Sequence, residues 1–334
     1  MSDEHPFAQY VRVLGKGPNL SRPLTQAETA EAVRLIMAGV VEPVQLGAFL
    51  CLLRVKTETP EEVAGFVQGA RDSLDAPETT PAVDLDWPTY AGKARQLPWY
   101  LLAALLLADN GVRVFMHGTE GHTEGRVYAR EGLAALGITP ADSLADAAER
   151  LDTHGFAFAN LHQVCPRLQD ILDLRPLLGV RSPVHTVART LNPLGAPAQI
   201  LSVAHPNYRD VHQQAAELLG QSHMAVFKGE GGEAERRPGK VCTVHTLHDG
   251  TSATEEWPPI AGTEVETPDE SLDPRRLAAV WEGDEVNEHA ANTIVGTAAV
   301  ALKLIGRADS VEAAEAEARR LWDERNRNRL PLHA

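Results

Sequence analysis

The sequence predicts an α/β protein with a small all-helical N-terminal domain, a larger domain built on a mainly parallel central sheet, and a helical C-terminus. Three observations carry this prediction. Residues 1–75 show helix-start signals and helical apolar spacing without a strand pattern. From residue 83 onward, short apolar strand candidates alternate with helical segments, which is the order typical of a parallel sheet. Residues 285–327 are again helical in pattern.

The N-terminal segment contains three helix-start signals. Thr25 and Glu28 have the spacing of a capping box, in which each side chain accepts a hydrogen bond from the other residue's backbone amide. Pro43 and Pro60 mark the next two starts, because proline is favoured at the first helical position. We therefore expect three helices before residue 75.

The segment 75–81 is polar and contains two prolines, as is common at a domain boundary. We assign residues 1–80 to the helical domain and residues 81–334 to the α/β domain. Helices from about 165–190 are expected to join the helical domain in space.

The α/β domain opens with a strand, a helix and a second strand. Residues 83–87 and 112–116 are the strand candidates, and the segment 97–108 is apolar on every face, as expected of a buried helix. Ligands of parallel sheets bind at the carboxyl ends of the strands, so we expect function in the loops that follow. The other predicted strands cover 156–159, 200–204 and 224–227, a hairpin covers 240–257, and helices cover 127–136, 143–151, 166–178, 211–219, 285–304 and 310–327.

The composition is that of an ordinary globular protein, with 334 residues, 43% hydrophobic content and a mean hydropathy of −0.21. No apolar run reaches the ~18 residues that a membrane helix needs. The polar, acidic N-terminus does not resemble a signal peptide. Three widely spaced cysteines form neither a disulfide framework nor a metal-binding spacing. We therefore expect a cytoplasmic protein with no membrane partner.

Charge is segregated along the chain. The net charge of −15 argues against a surface that is basic throughout, yet the segments 87–108 and 175–209 contain no acidic residue. The cations in them that we assign to phosphate binding are Lys93, Arg95, Arg175, Arg181 and Arg189. The aromatic residues near enough in sequence to stack on bases are Trp87, Tyr90, Trp99 and Tyr100. The alternative is that the aromatics belong to the core and the cations are solvated.

Two loops carry side chains able to bind a metal. The loop after the second strand contains His117, Glu120, His122 and Glu124. These residues lack a fixed helical spacing such as HExxH, and a plain flexible loop is the alternative. The second loop, residues 228–235, is named here the acidic loop. Its carboxylates at Glu230, Glu233 and Glu235 suit Mg²⁺ held against a substrate phosphate, or else form a solvated turn.

Taken together, the chain resembles the anthranilate phosphoribosyltransferase family (glycosyltransferase family 3), whose fold the thymidine-phosphorylase-like enzymes share. The resemblance covers nearly the whole chain. It rests on the helical N-terminal domain, the strand order, the His-Gly loop, the VRS…LNPLGAP segment that contains Asn192, and a late helix with Asn292. Within the family, WPTYAGKARQLPW and KGEGGEAE resemble the divergent YbiB-type branch. That resemblance implies a nucleic-acid-binding dimer without the biosynthetic activity.

The chain departs from the family at the loop that holds pyrophosphate. The family's GTGGD falls on residues 88–92, where Pro88 removes an amide donor. Tyr90 stands at a place where glycine permits close approach, while Gly92 remains. The family's N-x-S-T falls on residues 98–101, which read Pro-Trp-Tyr-Leu. These changes should weaken pyrophosphate binding.

Two further family motifs are incomplete. The lysine of the family's KHG is replaced by Met116, although His117 and Gly118 persist. The Asp-Glu pair that holds Mg²⁺ falls on Glu233 and Ala234, so half of the pair is missing unless Glu230 or Glu235 substitutes for it. Losing the glycine loop, a lysine and a metal carboxylate together should abolish tight pyrophosphate binding, because each charge-assisted contact contributes ~1.5–3 kcal/mol.

Our main hypothesis is a non-catalytic or weakly catalytic protein that binds single- or double-stranded nucleic acid without sequence preference. A homodimer packed through the helical domain would align the 175–209 segments with Lys93 and Arg95 along a basic groove. No cofactor is expected in this reading.

The alternative hypothesis is a phosphoribosyltransferase with an altered donor or acceptor. It is based on the residues of the degenerate substrate loops that persist, namely Gly92, His117, Gly118 and Asn192, together with the acidic loop. Mg²⁺ is expected only if this transferase activity is retained. No catalytic residue is assigned in either reading.

Overall fold

The computed structural model describes residues 4–77, 81–119, 121, 123–260, 269 and 271–330. The N-terminal helices are α1 (Ala8–Gly15), α2 (Gln26–Met37), α3 (Pro43–Lys56) and α4 (Pro60–Arg71). The capping box of Thr25 and Glu28 is present, and Thr59 caps α4 in the same way. The three predicted helices therefore begin where the sequence indicates, and α1 is an additional helix that the sequence signals did not identify.

One seven-stranded sheet forms the centre of the α/β domain. Its strands are β1 (Leu85–Thr89), β2 (Val114–Gly118), β3 (Phe156–Asn160), β4 (Ala198–Ser202), β5 (His223–Phe227), β6 (Cys242–His248) and β7 (Thr251–Trp257). They lie in the order β3-β2-β1-β4-β5-β6-β7. The first five are parallel, and the predicted hairpin β6–β7 adds two antiparallel strands at one edge. The predicted fold class is confirmed.

The strand limits differ slightly from the sequence prediction. The first strand was expected at 83–87, but the ladder between β1 and β2 runs from Leu85 and Val114 to Thr89 and Gly118. Apolar residues mark burial, whereas hydrogen-bonded pairing sets where a strand ends. The ladder therefore carries β1 directly into the loop that begins at Tyr90.

Eleven further helices are described after β1. They are α5 (Tyr100–Asp109), α6 (Ala129–Ala135), α7 (Leu144–His154), α8 (Leu161–Val164), α9 (Pro166–Asp173), α10 (Arg175–Leu178), α11 (Val184–Val187), α12 (Tyr208–Leu218), α13 (Arg275–Glu282), α14 (Glu288–Leu304) and α15 (Val311–Asp323). Helix α5 is buried from its first residue to Ala108, as its all-round apolar sequence predicts. Helix α13 was not predicted. Within the described part of the chain, no helix has the length and apolar character needed to cross a bilayer.

Two large apolar cores pack on the sheet. One includes α5, α14 and α15, while the other joins the N-terminal helices to β2, β3, α7, α9 and α11. In the second core, Leu168 and Val184 are buried together with Phe49 of α3. The helical domain therefore shares a core with the sheet, and Arg54 of α3 is among the residues that line the cleft described next.

Candidate functional site

A cleft of about 420 Å³ opens beyond the carboxyl ends of β1 and β4, where the helical and α/β domains meet. Tyr90 and Ala91 enter it directly after β1, and Val203 and Ala204 directly after β4. The side chains and backbone that line it belong to Arg54, Tyr90, Ala91, Arg126, Arg181, Ser182, His185, Thr186, Arg189, Val203, Ala204, His205, Tyr208, His212 and Gly231. This position is the usual ligand site of an open parallel sheet.

The lining of the cleft is strongly basic. Of the lining residues that the structure describes, four are arginines and three are histidines, and none carries a carboxylate. This concentration of positive charge stands out in a chain with a net charge of −15. A concave surface lined by charges of one sign attracts ligands of the opposite sign. We name this site the arginine cleft.

Two of the arginines hold the loops around the cleft. Arg126 donates hydrogen bonds from Nη1 to the carbonyl oxygens of Ala91, at 2.8 Å, and Gly92, at 3.1 Å. Arg189 donates from Nη1 to the carbonyl oxygen of Gly232 at 3.1 Å. These contacts leave other guanidinium N–H groups of both residues at the cleft, because each guanidinium carries five donors.

Arg54 of α3 and Arg181, between α10 and α11, both line the cleft and are exposed. Arg54 donates to the hydroxyl of Tyr208 at 3.3 Å, and that hydroxyl donates to Glu58 at 3.3 Å. Arg181 is exposed and forms no hydrogen bond or ion pair with another described residue. It is therefore the arginine best placed to bind a ligand without first losing an internal contact.

The arginines repel one another. Burial, and then the positive charges of Arg175, Arg126 and Arg189, lower the pKa of Arg181. Burial likewise lowers the pKa of Arg189, against the opposing effect of Glu233. An anion bound between these guanidinium groups would relieve that repulsion, so the cleft is electrostatically suited to a phosphate.

His212 contributes a neutral ring to the cleft wall. Burial, followed by the charge of Arg189, lowers its pKa to about 3. Its Nδ1 lies 2.9 Å from the hydroxyl of Thr190. At neutral pH the ring is therefore an uncharged hydrogen-bonding group and not a further cation.

The prediction that Lys93 lies in an exposed basic groove is wrong. The sequence assigned it to an exposed basic groove, but its side chain is fully buried and is paired with Glu235 and Glu230. Burial alone would lower the pKa of Lys93, and the two carboxylates raise it above its ordinary value. Lys93 is therefore a buried counter-ion of the acidic loop. Arg95 is exposed but is not among the residues that line the cleft.

Glu233 binds the loop after β1. Its Oε1 accepts hydrogen bonds from the backbone amides of Ala91 and Gly92, both at 2.6 Å. The carboxylate is completely buried. Burial raises its pKa, while Arg189 and the two amides act in the opposite direction. The acidic loop therefore closes over the loop that follows β1.

Glu235 makes a second contact of this kind. Its Oε2 accepts a hydrogen bond at 2.9 Å from the amide of Tyr100, the first residue of α5. Its other oxygen pairs with Lys93. Burial raises the pKa of Glu235 to about 7, although Lys93 opposes this shift.

The three carboxylates expected to hold Mg²⁺ do not fit a metal site in this arrangement. Glu230 and Glu235 face the ammonium group of Lys93, and Glu233 faces two backbone amides. Among the described residues, no group of three or more His, Cys, Asp and Glu side chains is placed to hold a metal ion. A lysine ammonium here supplies the positive charge that a cation would otherwise supply.

The prediction that four aromatic residues stack on bases is also wrong. Trp87, Tyr90, Trp99 and Tyr100 are each at most 1% exposed, so they offer no open face for base stacking. The alternative that they belong to the core is right. Tyr90 reaches the cleft wall, where its hydroxyl lies 2.7 Å from Nδ1 of His117.

The His-Gly pair ends β2, next to Tyr90 of the cleft wall. His117 is buried between Tyr90 and Asp86, with its Nε2 3.3 Å from an oxygen of Asp86. A Cβ atom at Gly118 would lie 2.2 Å from the carbonyl oxygen of Thr89, so only glycine fits between β1 and β2 there. Neither residue is among those that line the cleft, although His117 is hydrogen-bonded to the lining residue Tyr90.

The other predicted loop residues lie in different places. Asn192 holds its own turn, with its side chain bonded to both backbone groups of Ala196 and to Gln221. Neither Asn192 nor the partly buried Arg175 is a lining residue. Glu120 and His122 lie outside the described residues, so the expected metal-capable set in that loop is not tested.

Sequence reasoning identified Arg181, Arg189 and Tyr90, which the structure brings to one cleft, and missed most of the rest. Arg54 and Arg126 lie in segments that also contain acidic residues, so charge segregation gave no signal for them. His185, His205 and Tyr208 also line the cleft, and they lie within the acid-free segment 175–209. The absence of acidic residues there was the sequence signal that could have identified them.

Two family models match the chain. Residues 8–74 match the glycosyl transferase family helical bundle domain, and residues 100–324 match the glycosyl transferase family a/b domain. The anthranilate phosphoribosyltransferase of Gluconobacter oxydans (strain 621H) is 29% identical over 311 residues, which cover 88% of this chain and 83% of that protein. The uncharacterized protein YbiB of Escherichia coli (strain K12) is 27% identical over 266 residues, or 78% of this chain and 82% of YbiB.

Solved structures share the fold. The anthranilate phosphoribosyltransferase of Thermus thermophilus superimposes with a TM-score of 0.78 at 23% identity, covering 95% of this chain and 94% of that one. The Saccharomyces cerevisiae enzyme, solved in complex with PRPP (phosphoribosyl pyrophosphate) and Mg, gives a TM-score of 0.77 at 18% identity, covering 95% and 93%.

Proposed function

Because the chain belongs to the glycosyl transferase family, with both the helical bundle and the a/b domain matched, we propose that it is a phosphoribosyltransferase-like protein with an altered substrate. The resemblance to anthranilate phosphoribosyltransferases is confirmed by the relatives and the shared fold. The ligand is a phosphorylated molecule bound in the arginine cleft. The observation that carries this proposal is the set of four arginines, with no carboxylate among the described lining residues, at the carboxyl ends of β1 and β4.

The geometry supports a ligand of sugar-phosphate or nucleotide size. A cleft of about 420 Å³ falls within the range usual for small-molecule sites. Arg181 and Arg189 present guanidinium groups, whose forked donors match two phosphate oxygens at once. The neutral ring of His212 and the hydroxyls of Ser182 and Thr186 offer uncharged partners for a sugar.

The same residues suit glycosyl transfer. In that reaction the bond from the anomeric carbon to the leaving group breaks, and the electron pair stays on the leaving phosphate. A new bond forms from the acceptor to the anomeric carbon, and the acceptor's proton passes to solvent water. Arg181 and Arg189 would stabilise the charge that develops on the leaving group.

The carboxylates of the acidic loop would hold Mg²⁺ only after leaving their present hydrogen-bond partners. The yeast relative was solved with PRPP and Mg. In this chain Glu233 and Glu235 would first have to leave the amides of Ala91, Gly92 and Tyr100. The arginine cleft supplies charge neutralisation for a phosphate with the chain's own cations.

Titration calorimetry tests the proposal. Ribose 5-phosphate, a nucleoside 5′-monophosphate and PRPP are titrated into the wild type, with unphosphorylated ribose as the ligand control. Arg181→Ala should weaken phosphate binding by about tenfold, the loss of one charge-assisted contact. Arg95→Ala, which removes an exposed arginine outside the cleft, is the matched control. Equal affinity of both variants for every phosphorylated ligand would exclude the arginine cleft as the phosphate-binding site. A ligand that binds is then incubated with candidate acceptors and assayed for transfer.

Nucleic-acid binding is the second candidate, and a second basic pocket favours it. This pocket has a volume of about 230 Å³ and is lined by Arg209, Lys228, Arg237 and Lys240, with no Asp or Glu among its described lining residues. It adjoins the arginine cleft, because the loop between β4 and α12 contributes residues to both. Two neighbouring basic pockets suit a chain of phosphates bound through its backbone, in a monomer or across a homodimer.

Salt-dependent fluorescence anisotropy tests this candidate. A labelled single strand and a labelled duplex are titrated at about 50 and about 200 mM salt, across which several phosphate contacts reduce affinity by ~10³ or more. Arg181→Glu and Lys240→Glu should each reduce both the affinity and the salt slope, whereas Arg95→Glu should not. Absence of binding at the lower salt concentration would exclude this function.

A further inference from the structure

Backbone amides from two elements converge on carboxylates of the acidic loop. The amides of Ala91 and Gly92 both donate to Glu233, and the first amide of α5, at Tyr100, donates to Glu235. Lys93 lies in the same cluster, fully buried and paired with Glu235. Three backbone donors and one ammonium group therefore surround two buried carboxylates.

These donors have the geometry of an anion-binding site. Gly92 has a φ of +65°, a left-handed conformation that lets its amide and that of Ala91 point at one oxygen. The first turn of a helix also presents unpaired amides at its positive end, and α5 is ten residues long. A buried lysine adds a full positive charge. Such a combination favours a multiply charged anion more than a single carboxylate.

The acidic loop is built to reach this position. A Cβ atom at Gly229 would lie 1.8 Å from the carbonyl oxygen of Glu233, so the loop folds tightly back on itself. Gly231 has a φ of +64°, and Arg189 holds the carbonyl oxygen of Gly232. The loop is therefore shaped and tied down with its carboxylates inside.

We propose that the acidic loop is an internal plug. Its Glu233 and Glu235 occupy a latent site for pyrophosphate, formed by the amides of Ala91, Gly92 and Tyr100 with Lys93. The carboxylates keep that site closed, and the phosphates of the ligand bind in the arginine cleft instead. In this arrangement the backbone amides that could bind a pyrophosphate are present, but the two carboxylates already occupy them.

Inorganic pyrophosphate is the probe, with and without Mg²⁺, in titration calorimetry. All proteins compared carry Arg181→Glu, which weakens binding in the arginine cleft equally in each. Adding Glu233→Ala should raise pyrophosphate affinity at least about tenfold, because two amides lose their internal acceptor. Adding Glu256→Ala instead, which removes an exposed carboxylate on β7, should change nothing. No gain with Glu233→Ala, or an equal gain with Glu256→Ala, overturns the plug.

A measurement on the wild type keeps the test independent of variant folding. The amide resonance of Tyr100, which is not a lining residue of the arginine cleft, should not move when pyrophosphate is added, because its acceptor Glu235 is already in place. Movement of this resonance shows an open site and overturns the proposal. The two proposals are tested by different results. The plug proposal fails if Glu233→Ala gives no gain in pyrophosphate affinity. The proposed function fails if Arg181→Ala does not weaken the binding of sugar phosphates.

Discussion

The carboxylate of Glu233 and the backbone amide of Gly92 are joined by a hydrogen bond of 2.6 Å across 141 positions of the chain. This contact fastens the loop after β5 to the loop after β1. It places a negative charge inside the donors that would otherwise face an anionic ligand. The basic residues of the neighbouring cleft, Arg181 and Arg189 among them, remain available for that ligand.

Replacing Lys93 should strongly destabilise the fold. Lys93→Met leaves Glu230 and Glu235 facing each other without their counter-ion, and removal of one partner of a buried ion pair costs about 3–5 kcal/mol. Urea denaturation monitored by circular dichroism measures the change in unfolding free energy. Lys240→Met, at an exposed lysine, should change it by no more than about 0.5 kcal/mol. Similar values for the two variants would contradict the buried counter-ion role.

Glu235 should make stability fall as the pH rises. Its pKa is about 7 in the folded protein against an ordinary value of 4.5, so between these two values the folded state binds the proton more tightly than the unfolded state. The contribution of Glu235 to the unfolding free energy therefore decreases through this window. Denaturation of the wild type and Glu235→Gln at about pH 5 and about pH 7.5 isolates this contribution by subtraction. An unchanged difference at the two pH values would speak against the shift.

His212 should remain neutral throughout the physiological range. Its pKa of about 3 lies below the ordinary value of 6.5, mainly because the ring is buried and then because Arg189 is near. NMR of the imidazole nitrogens should show no titration between about pH 5 and about pH 8. Arg189→Ala should raise the pKa only in part, because burial persists. A wild-type titration near pH 6.5 would show that the ring is more accessible than its position in the structure indicates.

Gly118 should not tolerate a side chain. Gly118→Ala places a methyl group 2.2 Å from the carbonyl oxygen of Thr89 between two paired strands, and we expect a loss of about 2–3 kcal/mol. Gly47→Ala is the matched control. It lies within α3, where the new methyl would meet only a side-chain atom of Leu178 at 3.7 Å, so we expect a gain of about 0.5–1 kcal/mol. The thermal midpoints of the two variants should move in opposite directions.

Local signals in the sequence were enough for most secondary structure. The capping boxes at Thr25 and Thr59 specify helix starts through contacts three residues apart, and the all-apolar segment around Leu101–Ala108 specifies a buried helix. Strand limits were less accurate, because the ladder between neighbouring strands decides them. Helix α13 was missed although its buried residues Leu277, Val280 and Trp281 have helical spacing, so a local signal for it was present.

In the candidate site too, some residues were predictable from the local sequence and others were not. An acid-free segment identified Arg181 and Arg189, because segregation of charge is visible along one stretch of chain. The sequence alone therefore determined the fold class, the family resemblance, the helix starts and part of the basic site. Only the tertiary structure decided that Lys93 is buried. Its partner Glu235 is 142 positions away, and a buried charge depends on partners that folding brings together, whereas sequence patterns report near neighbours.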